Sequence, residues 1–174
     1  LGGNSRSEYY QQVIKEIEFS KKVLDESGIK PRPISTIFFG GGTPTLLDAE
    51  HLIAIYEALV GTFGILADAE VTTEANPDSV NSEYLQKLKD AGFTRVSFGM
   101  QSAVPKVLEV LERTHNPENV SLNVANAQEV GLSTSVDLIY GSPGEGLLDW
   151  EESLKAAIAL NTDHISAYSL IVEP

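Results

Sequence analysis

The chain has 174 residues, 42% hydrophobic and 21% charged, the balance of one globular domain able to bury roughly 70% of its unfolded surface. Twelve basic residues against 25 acidic ones give a formal charge of −13, with no Lys/Arg cluster longer than a pair, which argues against a nucleic-acid partner. No apolar run nears the roughly 18 residues of a membrane span and no signal peptide opens the chain, so a cytoplasmic protein is the expectation, and the absence of cysteine removes disulfides and thiolate-held metal.

Residues 1–7 are rich in Gly, Asn and Ser and read as a linker or cut end, with the domain occupying residues 8–174. Tyr9, Val13, Ile17, Val23 and Leu24 then recur near helical spacing and stop at Ser27-Gly28. Residues 34–44, Ile-Ser-Thr-Ile-Phe-Phe-Gly-Gly-Gly-Thr-Pro, read as a buried strand delivering a glycine loop. Without Cβ atoms such a loop is either a cradle whose backbone approaches a ligand or a tight strand-to-helix turn.

Asp48 can cap a helix carrying Leu52, Ile55, Tyr56 and Leu59, and residues 61–69 return the chain to a β-branched strand over residues 70–75. Asn76-Pro77-Asp78-Ser79 is turn and cap chemistry before a helix of Tyr84, Leu85 and Leu88 that ends at Ala91-Gly92. A third strand covers residues 95–100. Helical stretches over residues 104–111 and 117–130 lead to a fourth strand over 134–140 and the Gly141-Ser142-Pro143-Gly144 turn. An amphipathic helix over 149–160 and a fifth strand over 163–172 follow.

Five strands alternating with helices predict right-handed βαβ units and a parallel sheet, in an α/β fold. Residues 40–43, Glu74 with Asn76, Gln101, Asp137 and Tyr168 fall near the carboxyl ends of successive strands. That distribution favours a TIM-like barrel, whose active face collects residues from every strand, over an open sheet with one switch point. Glu74 and Asp137 each interrupt an apolar strand, so each is either exposed at the strand end or matched to a specific partner. Gln101 reads equally as a site residue or a helix cap, and Arg113 as a site residue or a helix-end cation. His51, His115 and His164 are scattered, and structural roles are expected for them.

The ordered set Phe38-Phe39-Gly40-Gly41-Gly42-Thr43-Pro44-Thr45, Thr73-Glu74-Ala75-Asn76-Pro77, Ser97-Phe98-Gly99-Met100-Gln101-Ser102, Leu111-Glu112-Arg113-Thr114-His115 and Asp137-Leu138-Ile139-Tyr140-Gly141-Ser142-Pro143 resembles the radical S-adenosylmethionine (SAM) family of oxygen-independent coproporphyrinogen III oxidase and its relatives. The resemblance covers the chain from about Tyr9 onward. Asn76, where the oxidase tends to carry aspartate, together with Gln101-Ser102, Ala159-Leu160-Asn161 and the residues from His164 to Tyr168, is more similar to the HemW-type heme chaperone branch.

The resemblance implies a partial (β/α)6 barrel that binds SAM across the strand ends and, in the parent protein, a 4Fe-4S cluster, with heme or a porphyrinogen as the further ligand. Position by position it places Gly41, Gly42 and Thr43 at the methionyl amino group, Glu74, Gln101, Arg113 and Asp137 around the rest of SAM, and Ile171 at the adenine. These residue types suit a zwitterionic, hydroxylated ligand: carboxylates accept from hydroxyls or an ammonium, and a guanidinium forks onto a carboxylate. A barrel enzyme using Glu74 and Asp137 as an acid/base pair is the rival reading. The family's three-cysteine cluster motif has no counterpart here. The expectation is therefore a fragment without the first strand and cluster loop, inactive alone. The strand starting at Ile34 is then left with an open edge through which copies can self-associate.

Overall fold

The computed structural model describes residues 6–30, 32–113 and 116–171. Helix α1 (Arg6–Glu26) starts within the stretch expected to be linker and buries Ile17. Its end is a Schellman turn: Gly28 takes φ +71, Gly28 N–H bonds the Asp25 carbonyl, and Ile29 N–H bonds that of Leu24. After α1 come β1 (Ile34–Phe39), α2 (Ala49–Phe63), β2 (Ile65–Ala75), α3 (Ser82–Ala91), β3 (Arg95–Gln101), α4 (Pro105–Val110), α5 (Pro117–Glu129), β4 (Ser133–Tyr140), α6 (Leu147–Ala159) and β5 (His164–Ser169). Short 3-10 turns at Pro44–Leu46 and Pro77–Ser79 lead into α2 and α3.

Side-chain bonds fix the starts of three helices, α3, α5 and α6. Asn81 Oδ1 accepts the Tyr84 N–H at the head of α3, and Asn116 Oδ1 accepts the Glu118 N–H at the head of α5. Asp149 Oδ2 takes the Gly146 N–H and a 2.7 Å ion pair from Lys106, which together hold its carboxyl below the ordinary value. Asp48 stands at the N-cap of α2 but makes no side-chain cap bond. Its main-chain carbonyl receives the His51 and Leu52 N–H groups, while the exposed carboxylate lies 3.7 Å from His51 Nδ1.

All five strands are parallel, in the order β1-β2-β3-β4-β5. Right-handed crossovers that always step the same way put every intervening helix on one face of the sheet, whereas a doubly wound sheet reverses its order at a switch point. The sheet is therefore a half-barrel with an inner face of its own. Side-chain alternation separates the two faces. Val71, Ala75, Val96, Phe98, Met100, Val136 and Leu138 turn outward and are at most 5% exposed. They pack with Leu85, Leu88, Val120 and Val124 of the helices in one core cluster. Phe93 closes that core near the start of β3, its ring 5.4 Å from Phe39 and 5.5 Å from Tyr56.

Two strand bounds differ from expectation by more than one residue. β2 begins at Ile65 rather than residue 70, because Ile34 pairs with Ile65 and Thr36 with Glu70, leaving a bulge of extra residues on β2. β5 ends at Ser169, and Val172 lies outside the described residues. Among the described residues no helix is long and apolar enough to cross a membrane. The outer edge of β1 pairs with no strand among these residues.

Candidate functional site

A cavity of about 300 Å³ opens on the inner face at the carboxyl ends of the strands. Small-molecule sites commonly measure about 300–1,000 Å³. The glycine loop after β1 forms one wall. Gly41 and Gly42 take φ +82 and +44, in the left-handed region that L side chains avoid, and space is open where their Cβ atoms would stand. Gly42 and Thr43 line the cavity, while Gly41 reaches it by donating its N–H to Glu74 Oε2 at 3.0 Å. The loop is thus tied to the next strand by one of the carboxylates expected to share the ligand.

Glu74, half-buried at the end of β2, lines the cavity with Asn76, whose Oδ1 also accepts the Asp78 N–H. At the end of β3 the register breaks: Phe98 pairs with Val136 but Gln101 with Leu138, so three steps on β3 match two on β4. This bulge places Gln101 at φ +62, a costly backbone state for a non-glycine residue and one that clusters at functional sites. A Cβ on Gly99 would come within 2.9 Å of Gln101 Nε2, so the glycine is what lets the Gln101 amide fold back over β3. The capping reading of Gln101 does not hold, since the N-terminal Val104 N–H is bonded by Ser102 Oγ.

Arg113 enters from beyond α4. Leu111, Glu112 and Arg113 form a second Schellman turn, with Glu112 N–H on the Glu109 carbonyl and Arg113 N–H on that of Leu108. Here the left-handed position is occupied by Glu112, at φ +52, where α1 uses a glycine. The turn delivers Arg113 to the cavity wall at a backbone cost. Glu112→Gly is expected to raise stability by about 1 kcal/mol, net of the entropy glycine adds to the unfolded chain, as read from urea denaturation midpoints.

Asp137 supplies the far wall, its Oδ2 accepting the Ser97 hydroxyl at 2.9 Å, and Tyr168 of β5 flanks it. Ile171 lies past the end of β5, 79% exposed, and is not brought to the cavity. Five lining residues, Pro44, Ala75, Ser97, Gly99 and Ile139, were not among the site residues expected from the sequence. The run Val96-Ser97-Phe98-Gly99-Met100 alternates large apolar with small residues, and that period of two was the available signal for Ser97 and Gly99.

The two described histidines stand apart from this site. His51 stacks on Tyr10 at 4.1 Å, His164 is exposed at the start of β5, and His115 lies outside the described residues. Among the described residues no group of three or more His, Cys, Asp or Glu side chains is placed to hold a metal ion.

Comparison with known proteins bears on the fold and the family. The chain is 40% identical over 174 residues to a protein of Mycobacterium tuberculosis (strain H37Rv) named heme chaperone HemW, covering 99% of this chain and 43% of that one. It is 41% identical over 143 residues to the protein of that name from Bacillus subtilis (strain 168), covering 81% of this chain and 38% of the relative. The chain thus spans less than half the length of these relatives. The solved coproporphyrinogen III oxidase (HemN) of Escherichia coli, described as a radical SAM enzyme, superposes with a TM-score of 0.85 at 27% identity, over 100% of this chain and 40% of that one. The half-barrel is accordingly a partial radical SAM barrel. Residues 4–157, well over half of the chain, match the radical SAM superfamily, and the chain belongs to that superfamily.

Proposed function

We propose that this chain is part of a HemW-type heme chaperone and that its strand-end cavity binds SAM. The carrying observation is that residues from five separate segments, Thr43, Glu74, Gln101, Arg113 and Asp137, converge on one cavity. The donor set fits the ligand. Glu74 and Asp137 offer carboxylate oxygens to an ammonium and to hydroxyls, Arg113 offers a guanidinium to a carboxylate, and the glycine loop adds backbone groups. Ile171 belongs to the proposal as an apolar contact for the adenine, on the resemblance alone.

Superfamily membership implies SAM and a 4Fe-4S cluster as cofactors. This chain has no cysteine, so its residues do not fit the cluster, whose ligands would be supplied from elsewhere in a parent protein. Heme, as the cargo of the parent, rests on the names of the relatives and on no residue described here. The oxidase reading rests on the HemN likeness, at lower identity than the HemW relatives. The acid/base reading of Glu74 and Asp137 is not favoured. They stand on β2 and β4, with β3 between them and two residues out of register, and each is anchored by its own donor. A cytoplasmic location and self-association through the open β1 edge belong to the same proposal.

About two charge-assisted hydrogen bonds at roughly 1.5–3 kcal/mol net each remain for a ligand here, a sum that brackets the about 4 kcal/mol of an affinity near 1 mM. Titration of the chain with SAM, followed by protein-observed NMR, should return a Kd near 1 mM with resonance changes at Glu74, Gln101 and Asp137. Changes confined to other residues, or none, would sink the reading.

A further inference from the structure

Ser97 lines the cavity from β3, the middle strand of the five. It stands in register between Glu74 of β2 and Ser135 of β4, and strand alternation turns all three to the inner face. Ser97 is 6% exposed, and its hydroxyl donates across to the Asp137 carboxylate on the adjacent strand. Glu74, which pairs directly with Ser97 where Asp137 is two residues out of register, is held instead by the Gly41 N–H. The two carboxylates of the site therefore have separate donors, one from the backbone and one from a side chain.

Packing bounds Asp137 on one side only. Ile139 two residues on along β4 and Tyr168 of β5 are large and line the cavity beside it. On its other sides the inner-face positions are small: Ser135 two residues before it on the same strand, Ser166 opposite on β5, and Gly99 two residues beyond Ser97 on β3. With room on those sides the carboxylate can change χ2 unless a hydrogen bond selects one rotamer. Among the described residues, Ser97 is the donor that does so.

We propose that Ser97 is a positioning residue: its hydroxyl takes one oxygen of Asp137 and thereby turns the other oxygen toward the ligand. The effect on affinity rests on the SAM reading above, whereas the anchoring of the carboxylate does not. The adjacent residues make the assignment specific, because Phe98 serves the opposite face of the same strand.

The test uses this chain with SAM as the probe and two readouts. The first, without ligand, is the carboxyl carbon resonance of Asp137. Ser97→Ala should shift it, and Ser97→Thr, which keeps the hydroxyl, should restore it. The second is the SAM dissociation constant, which Ser97→Ala should raise about tenfold, the scale of one hydrogen bond to a charged group. In an Asp137→Ala background the same substitution should add nothing. A carboxyl resonance unmoved by Ser97→Ala, or an equal loss of affinity with Asp137 already removed, overturns the proposal. A chain that binds no SAM while its Asp137 resonance follows Ser97 overturns the SAM reading and leaves Ser97 as the anchor.

Discussion

Glu74→Ala is expected to weaken SAM binding by at least tenfold and to release the glycine loop at once. The carboxylate has two tasks in the structure. One oxygen accepts the Gly41 N–H at 3.0 Å, and the group as a whole lines the cavity at the end of β2. A hydrogen bond to a charged group contributes about 1.5–3 kcal/mol, or roughly 10- to 150-fold in affinity, so loss of the ligand contact alone accounts for the binding effect. The loop effect is separate, because Gly41 and Gly42 sit at positive φ and a freed glycine regains much conformational entropy. Glu74→Gln divides the tasks: its carbonyl oxygen still accepts the Gly41 N–H, while its charge is gone. Exchange of the Gly41 amide with solvent should therefore quicken in the alanine variant and stay unchanged in the glutamine variant, with SAM affinity lowered in both. Wild-type affinity in Glu74→Ala would remove Glu74 from the ligand set.

This dual role shows which parts of the site the sequence could disclose. Glu74 and Asp137 were legible because a carboxylate inside an apolar run demands a partner, and the glycine triplet because few other sequences allow a backbone wall. The parallel half-barrel followed from five strand-helix alternations with polar residues at each strand end, and the sequential strand order bears it out. Ser97 was less visible, since serine is tolerated in strands for many reasons and its bond to Asp137 spans 40 positions of sequence. The left-handed turns at Gln101 and Glu112 left no trace at all, because neither residue type announces positive φ. The early start of β2 was hidden by its bulge, which breaks the period of two over residues 65–69. Ile171, placed by resemblance alone, is the expected residue that the fold does not bring to the cavity.

Phe98→Ala should have the opposite signature to Glu74→Ala. Phe98 lies between Ser97 and Gly99, yet its side chain points to the helices, fully buried in the core with Val96 and Val136 of the sheet. Truncating a fully buried phenylalanine costs about 3–5 kcal/mol, through lost transfer energy and the cavity left behind. Against a typical domain stability of about 5–15 kcal/mol, that is a large part of the whole. The expected result is a urea midpoint lowered by that amount with little change in slope, and an unchanged SAM affinity for the fraction still folded. The reasoning is geometric: the parallel strands carry stability on one face and ligand chemistry on the other, so consecutive residues of β3 answer to different demands. Equilibrium denaturation and SAM titration of the same samples separate the two. If Phe98→Ala lost SAM affinity in the folded state as steeply as Glu74→Ala, the inner wall would depend on outer-face packing and the two faces could not be treated as independent.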